Sequence, residues 1–169
     1  MQLIPIKSSD FDYIYEEMVK NFISAELRDY DDAKALVDNG KYTVYHIELN
    51  SERIGFITVW ELDSFTFFEH FVIFEKHRNK GYGKMALDLL KKRFPLTVLE
   101  AEPPKTELSA RRIEFYKRAG YSINDFPYIQ PPYRASDTGI PLLLLSYPHA
   151  LTDIDKVVKE IYTQVYNVK

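Results

Sequence analysis

Apolar residues recur along the chain with two different periods, and these periods predict the order of its helices and strands. Near the start, Phe11, Ile14, Met18 and Phe22 are three or four positions apart, which is the spacing of one face of a helix. Apolar residues at the end of the chain keep this spacing, so an amphipathic helix is predicted over about 151–165. Short apolar runs bounded by turn residues predict strands instead. These runs cover residues 3–6, 42–49, 53–61, 65–74, 96–101, 121–123 and 140–147.

Three further helices complete the pattern. One is predicted over about 25–37, where Asp38-Asn39-Gly40 is a typical helix stop, and two more lie around 85–90 and 109–119. The resulting order is a strand, two helices, an antiparallel meander, and then strands that alternate with helices. A single mixed, mostly antiparallel twisted sheet flanked by helices accounts for this order, so the fold class is α/β (α+β). Because no linker or repeat interrupts the chain, one domain over residues 1–169 is expected.

Composition and charge exclude several classes of protein. The chain has 169 residues, of which 46% are hydrophobic and 15% aromatic, enough to bury a sizeable core. A net charge of −3 argues against a general nucleic-acid binder. The absence of cysteine excludes a disulfide framework, a thiolate zinc site and a cysteine nucleophile. Neither a signal peptide nor an apolar run long enough to span a membrane is read, so a cytoplasmic protein without a membrane partner is expected.

A glycine-rich segment between a predicted strand and a predicted helix is typical of a phosphate site. It runs from Arg78 to Lys84 with the sequence RNKGYGK. Its two glycines let the backbone approach a ligand and expose successive N–H groups, and the following helix adds its free N-terminal amides. Residues 71–93 also carry seven Lys or Arg against two acidic residues, so this stretch is basic on an acidic chain. A pyrophosphate group suits such a segment.

The same segment can be compared with the dinucleotide-binding fingerprint. Residues 81–86 fit its Gly-x-Gly-x-x-Ala pattern, and Glu100 and Glu102 follow at about the distance of its ribose-binding acid. In that fold, however, the first glycine directly follows the strand, whereas seven residues separate Ile73 from Gly81 here. An antiparallel hairpin also precedes the segment. A NAD(P)-binding module is therefore disfavoured.

Two motifs in this chain resemble those of the GNAT superfamily of N-acetyltransferases. Residues 78–83 fit the acetyl-CoA motif Arg/Gln-x-x-Gly-x-Gly/Ala at every fixed position, and residues 112–121, RIEFYKRAGY, are similar to the second signature of the family. The resemblance covers about residues 42–123. It implies the GNAT fold and an enzyme that moves an acetyl group from acetyl-CoA to a primary amine. Since no cysteine is available for an acyl-enzyme, direct attack in a ternary complex is expected. The alternative is a non-catalytic acyl-CoA sensor on the same fold.

The resemblance also implies where acetyl-CoA binds. Loop amides bind the CoA pyrophosphate in the family, and the corresponding residues here are Arg78, Asn79, Lys80, Gly81, Tyr82, Gly83 and Lys84. The pantetheine arm pairs with the preceding strand, which implies backbone contacts from Phe71, Val72 and Ile73. An N–H group near Ile73 would polarise the thioester carbonyl. Ser109 stands where many members carry an asparagine that helps to hold the cofactor, although the N-cap of its helix is the favoured interpretation.

Tyr116 matches the general acid of the family. A phenol with a pKa of about 10 can donate a proton to a departing thiolate whose pKa is about 8.5. The alternative is a tyrosine that only packs in the core. The spacing of Tyr116 from Gly120 and Tyr121 favours the catalytic interpretation.

Glu69 is a candidate general base, and this assignment comes from its position rather than from the resemblance. It is the only acid within the 65–74 run. Burial beside the thioester would raise its pKa towards neutrality and let it take a proton from the incoming amine. Strand alternation places it on one face with Phe67, Phe71 and Ile73. The alternative is a structural salt bridge with an arginine such as Arg111 or Arg112.

The acceptor side is less well defined by the sequence. Glu100 and Glu102 can bind a cationic substrate or pair with Arg111 and Arg112, and both interpretations stay open. Residues 125–138 are predicted to form a loop rich in proline and tyrosine, and its part from Tyr128 to Tyr133 is the candidate for contact with the acceptor. The alternative is a surface loop packed by its own aromatic side chains. Its candidate contacts are Tyr128, Gln130 and Tyr133. The acidic remainder of the chain favours a cationic amine.

Other partners follow from the same features. No metal is implied, and neither a nucleic acid nor a membrane is expected as a partner. The predicted C-terminal helix can pack on its own domain or on a second subunit, so a homodimer is possible, although packing on its own domain is favoured.

Overall fold

The computed structural model describes residues 1–37 and 40–168 of the chain. Over these residues seven strands form one sheet: β1 Gln2–Pro5, β2 Tyr42–Leu49, β3 Glu52–Glu61, β4 Thr66–Ile73, β5 Thr97–Ala101, β6 Ser122–Gln130 and β7 Ile140–Tyr147. The helices are α1 Phe11–Asn21, α2 Tyr30–Leu36, α3 Tyr82–Arg93, α4 Glu107–Arg118 and α5 Ile154–Gln164. Short 3₁₀ turns cover Ser8–Asp10, Ser24–Glu26 and Glu75–His77. No helix in this part of the chain is long and apolar enough to cross a membrane.

The sheet confirms the predicted fold class. Its strand order is β1-β2-β3-β4-β5-β7-β6, and every neighbouring pair is antiparallel except β4 with β5. Helices cover both faces of the sheet, and a separate cluster of buried side chains joins them to each face. One cluster joins α1, α2 and α5 to the sheet, through residues such as Ile14 and Ile161. The other joins α3 and α4 to the opposite face, through residues such as Leu87 and Ile113.

The parallel pair β4 and β5 separates before either strand ends. Their ladder covers only Thr66–Phe68 on β4 and Thr97–Leu99 on β5, while β4 continues to Ile73. The edge of β4 that faces β5 therefore has no ladder partner beyond Phe68. Unpaired backbone N–H and C=O groups on such an edge can bind an extended ligand arm.

A β-bulge changes the side-chain alternation along β4. Val59 pairs with Phe68 and Thr58 pairs with His70, so Glu69 is the extra residue between them. Glu69 accepts a hydrogen bond from Trp60, which belongs, together with Phe67, to the cluster that joins α1, α2 and α5 to the sheet. Residues beyond the bulge pack differently, with Phe71 and Ile73 against α3. The expectation that Glu69 shares a face with Phe71 and Ile73 was wrong, because a bulge resets the period of two.

Several element boundaries also differ from the expected ones. The helix predicted over 25–37 is a 3₁₀ turn followed by α2, because extended backbone at Leu27 turns that side chain into the core. Its predicted stop signal at Asp38 and Asn39 lies outside the described residues.

The predicted loop over 125–138 is strand as far as Gln130. A register shift between Asn124 and Tyr128 accommodates Pro127 within β6. Three candidate acceptor contacts are thereby divided between a strand and the loop that follows it.

The C-terminal helix is slightly shorter than the predicted 151–165. It begins after Asp153, whose side chain accepts a hydrogen bond from the Lys156 N–H at 3.2 Å. Its apolar face packs on the sheet of the same chain through Val158 and Ile161.

Candidate active site

A cavity of about 780 Å³ opens where β4 leaves β5. Its walls come from the end of β4, the start of α3 and one face of α4. The volume is in the range of pockets that hold a small molecule or cofactor. Its lining includes most of the expected acetyl-CoA contacts, namely Phe71, Val72, Ile73, Arg78, Asn79, Gly81, Tyr82, Gly83 and Lys84. Lys80 and Ser109 are not part of this lining.

The glycine-rich loop presents the N-terminus of α3 to the cavity. Gly81 is the N-cap of this helix, has a left-handed backbone with φ of 78°, and provides no side chain to cap the first turn. A Cβ atom at Gly81 would meet nothing within 4 Å, so the backbone angle alone requires glycine. The first N–H groups of a helix have no acceptor within the helix. They are therefore available to an anion in the cavity.

The basic side chains of this segment are held by the protein itself. Arg78 donates through Nε to the Ile73 carbonyl at 2.9 Å, which fastens the loop to the end of β4. Lys80 donates to the Lys76 carbonyl at 3.0 Å. Lys84 forms an ion pair with Asp88 at 2.7 Å. An anion in the cavity would therefore meet mainly backbone N–H donors, while the nearby lysines add positive charge around these donors.

Tyr116 lines the cavity from α4. It is 7% exposed, and its ring packs edge-on against Tyr121 with centroids 5.7 Å apart. Burial raises the pKa of Tyr116 to about 12, against a smaller lowering by Arg112. The phenol is therefore protonated at neutral pH and can act as a proton donor.

Ser109 does not occupy the N-cap of α4, so this favoured interpretation was wrong. The N-cap is Thr106, whose Oγ1 accepts from the Ser109 N–H at 3.1 Å. The Ser109 hydroxyl in turn accepts from the Thr106 N–H at 3.0 Å, which completes a capping box. This use of the hydroxyl accounts for Ser109 without a cofactor contact.

Three hydrogen-bond donors surround the Glu69 carboxylate, so it is not free to accept a proton. Its Oε1 accepts from Arg28 at 2.6 Å and from the Tyr133 hydroxyl at 2.8 Å, and its Oε2 accepts from Trp60 at 3.1 Å. The Arg28 guanidinium also lies 4.4 Å from the centroid of the Tyr133 ring. The salt-bridge alternative is therefore realised, with Arg28 in place of Arg111 or Arg112.

The pKa of Glu69 is lowered, in contrast to the expectation that burial would raise it. Burial does act to raise this pKa, but the charges of Arg28 and His70 and the hydrogen bonds from Arg28 and Trp60 outweigh it. A carboxylate with a lowered pKa is a weak proton acceptor at neutral pH. The environment of Glu69 thus argues against the general-base assignment.

Glu100 has a different environment on the neighbouring strand. The Tyr128 hydroxyl donates to its Oε1, and the Tyr166 hydroxyl lies 2.8 Å from Oε2 and 3.0 Å from Oε1. Burial raises the pKa of Glu100 to about 8, against the hydrogen bonds from these two tyrosines. Pairing with arginine holds instead for Glu102, whose carboxylate is 3.0 Å from Arg112.

A small pocket of about 40 Å³ adjoins the large cavity. It has room for a few water-sized groups, so only the narrow end of a molecule can enter it. The two spaces share Phe22, Glu69, Glu100 and Arg112. The remaining lining residues are Glu26, His70, Ala101, Glu102, Gln130, Tyr133 and Leu142. Three residues considered for the acceptor, Glu100, Gln130 and Tyr133, thus line this pocket, whereas Tyr128 is not part of its lining and donates a hydrogen bond to Glu100.

Comparison with known proteins identifies the family. The model of the Acetyltransferase (GNAT) family matches residues 11–121. The chain belongs to the GNAT family of acetyltransferases. A solved structure described as a GNAT-family acetyltransferase from Bacteroides thetaiotaomicron is 33% identical, covers 100% of both chains and has a TM-score of 0.94. No curated protein matches.

Other solved structures share the GNAT fold at low identity. A mutant form of spermidine N-acetyltransferase SpeG from Vibrio cholerae is 13% identical over 86% of this chain and 94% of its own, with a TM-score of 0.62. The ribosomal-protein-S18-alanine N-acetyltransferase from Escherichia coli is 14% identical over 89% and 95% of the two chains, with a TM-score of 0.60. At these identities the likeness shows the fold alone.

The residues matched by the GNAT model include only part of the small pocket and its surroundings. Gln130, Tyr133 and Tyr166 lie beyond the matched residues 11–121. Among the residues that sequence reasoning missed, Arg28 is 41 positions from Glu69 and Tyr166 is 66 positions from Glu100. No local pattern in the sequence points to such pairs. Within the described part of the chain, no group of three or more His, Asp or Glu side chains is arranged to hold a metal ion.

Proposed function

We propose that this GNAT protein transfers an acetyl group from acetyl-CoA to a primary amine by direct attack within a ternary complex. The observation that carries the proposal is one cavity lined by the open edge of β4, the uncapped start of α3 and Tyr116. The strand edge can pair with an extended ligand arm, the helix start can bind an anion, and Tyr116 can donate a proton. Since α5 packs on the same sheet, we treat residues 1–169 as one GNAT-like domain.

The donor binds through backbone groups. Its pyrophosphate accepts hydrogen bonds from the amides of the 78–84 loop, where Gly81 keeps the approach open. Its pantetheine arm runs along Phe71–Ile73 as an added strand, beyond the end of the β4–β5 ladder. A backbone N–H near Ile73 polarises the thioester carbonyl and stabilises the developing oxyanion.

Tyr116 acts as the general acid. The attacking amine forms a bond to the thioester carbon, and collapse of the adduct breaks the C–S bond with the electron pair going to sulfur. The buried phenol, still protonated at neutral pH, gives its proton to the thiolate.

The amine end of the acceptor occupies the small pocket beside Glu100, Gln130 and Tyr133. Because Glu26 and Glu102 also line this pocket, its charge favours a cationic amine over an acceptor that carries a carboxylate near the nitrogen. Arg112 is paired with Glu102 and so offsets only part of this charge.

A Tyr116→Phe variant separates an enzyme from an acyl-CoA sensor. We expect wild-type affinity for acetyl-CoA by calorimetry, together with a loss of about 10²-fold or more in kcat measured by release of free thiol with a panel of amines. Tyr147→Phe is the matched control, since Tyr147 contacts Tyr121 but does not line the cavity. Binding of acetyl-CoA by the wild type without thiol release for any amine would favour the sensor.

A further inference from the structure

We propose that Glu100 is the general base of this site and that Tyr166, from the segment after α5, positions its carboxylate. The inference rests on the proposed acetyl transfer. It replaces Glu69, whose carboxylate is bound by Arg28, with the neighbouring acid on β5.

Glu100 lies where donor and acceptor meet. The β4–β5 ladder ends at Phe68 and Leu99, and Glu100 is the next residue of β5. Alternation along β5 places it on the face of Val98, towards α1 and α5. It lines both the large cavity and the small pocket. A proton acceptor for the amine has to stand at this junction, because the nitrogen reaches the thioester there.

The contacts of Glu100 leave it able to accept a proton. Among the described residues no arginine, lysine or histidine forms an ion pair with it, in contrast to Glu69 and Glu102. Its two close partners, Tyr128 and Tyr166, are hydroxyl donors. A carboxylate has about four acceptor positions, so two donors orient it and still leave room for an ammonium N–H.

The charged and titratable groups around Glu100 come from every element that surrounds it. Burial and the negative charges of Glu69 on β4 and Glu26 in the 3₁₀ turn raise its pKa, whereas the two tyrosine hydroxyls lower it. The other titratable groups of the pocket are His70 on β4, Glu102 on β5, Arg112 on α4 and Tyr133 after β6. A base with a pKa close to the working pH transfers protons efficiently.

The proposed step balances with the groups already described. The Glu100 carboxylate takes one proton from the ammonium, and the freed lone pair attacks the thioester carbon. The C–S bond breaks, sulfur keeps the electron pair, and Tyr116 protonates it. The amide nitrogen then gives its second proton to the Tyr116 phenolate, and Glu100 releases its proton to solvent.

The experiment compares pH profiles of kcat/KM from about pH 6 to about pH 10, with two amines that differ in their own pKa. In the wild type we expect activity to rise through a limb near pH 8 that is the same for both amines. Glu100→Gln should lose about 10²- to 10⁴-fold and lack this limb. Tyr166→Phe removes a hydrogen bond that favours the carboxylate, so its limb should move to higher pH while activity recovers there.

Tyr162→Phe is the matched control, because Tyr162 lies in the last turns of α5, close in sequence to Tyr166, and its hydroxyl donates to the Ile129 carbonyl at 2.6 Å and not to Glu100. It should keep the wild-type limb. If Glu100→Gln fails to fold, the shift in Tyr166→Phe decides the question alone. A limb that follows the pKa of the amine, or a Glu100→Gln variant with wild-type rates, would overturn this assignment and leave the acetyl transfer standing. A wild type inactive with every amine would overturn the proposed function, and the base with it.

Discussion

Replacing Arg28 with methionine should leave the Glu69 carboxylate buried without its cation. The two side chains are 11% and 2% exposed, and Arg28 also donates to the Val165 carbonyl at 2.8 Å. Breaking one side of a buried ion pair costs about 3–5 kcal/mol, because the remaining charge is neither solvated nor paired. For a chain of this length about 1 kcal/mol corresponds to about 2–4 °C. We therefore expect the Tm to fall by roughly 6–20 °C at neutral pH.

The loss should depend on pH, and its sign follows from the pKa of Glu69. In the wild type this pKa is lowered, so the pair stabilises the fold above the unfolded pKa and that stability is lost as pH falls through the folded value. In Arg28→Met, burial is no longer outweighed and the folded pKa rises above the unfolded one. The penalty then grows as pH rises from the unfolded pKa of about 4 through the folded pKa, and it disappears as pH falls towards about 4. The gap between the two Tm curves should narrow on acidification.

Thermal unfolding followed by circular dichroism tests this reasoning. The double variant Arg28→Met with Glu69→Gln should regain part of the lost stability, because no unpaired charge remains buried. Arg134→Met is the surface control, since Arg134 pairs with the exposed Asp29 and such pairs contribute about 0–1 kcal/mol. A Tm gap that stays constant with pH, or a double variant no more stable than Arg28→Met, would refute the role assigned to the pair.

Two glycines carry the remaining predictions. Gly81→Ala should lower the free energy of unfolding by about 1–2 kcal/mol, because the residue has φ of 78°. The same variant should bind acetyl-CoA more weakly in calorimetry. Gly40→Ala is its control, since a Cβ atom there also meets nothing within 4 Å. Unchanged affinity in Gly81→Ala would contradict the loop assignment. Gly55→Ala should lower the urea midpoint, because its Cβ would lie 2.2 Å from the Val72 carbonyl oxygen, and overpacking costs about 1–3 kcal/mol or more. A wild-type midpoint would show that β4 can shift at Val72 without cost.

The features that the sequence predicts well are those encoded within a few neighbouring residues. The loop from Arg78 to Lys84 requires glycine at a fixed backbone angle, and that requirement is visible as a short motif. The strands 42–49 and 140–147 coincide with β2 and β7, because their apolar runs have clear turn residues at both ends.

The features that it misses depend on contacts between distant residues. Nothing local to the 65–74 run announces a bulge at Glu69, since the extra residue is defined only against Thr58 and Val59 of the partner strand. Arg28 reaches Glu69 from a segment that was expected to be helical. The sign of a pKa shift depends on such partners, and so the sequence could suggest a buried acid without deciding its charge.

Glu69 and Glu100 stand at the same point of divergence between β4 and β5, yet their surroundings shift their pKa values in opposite directions. Arg28 and its hydrogen bonds keep Glu69 ionised, whereas burial raises the pKa of Glu100 to about 8. When the pKa values of neighbouring acids are separated in this way, the acid whose pKa is nearer neutrality suits proton transfer and the other stays charged. The fixed negative charge of Glu69 in turn disfavours ionisation of Glu100 and helps to raise its pKa. The buried Glu69 carboxylate therefore contributes to the raised pKa of the proposed base without having to touch the substrate.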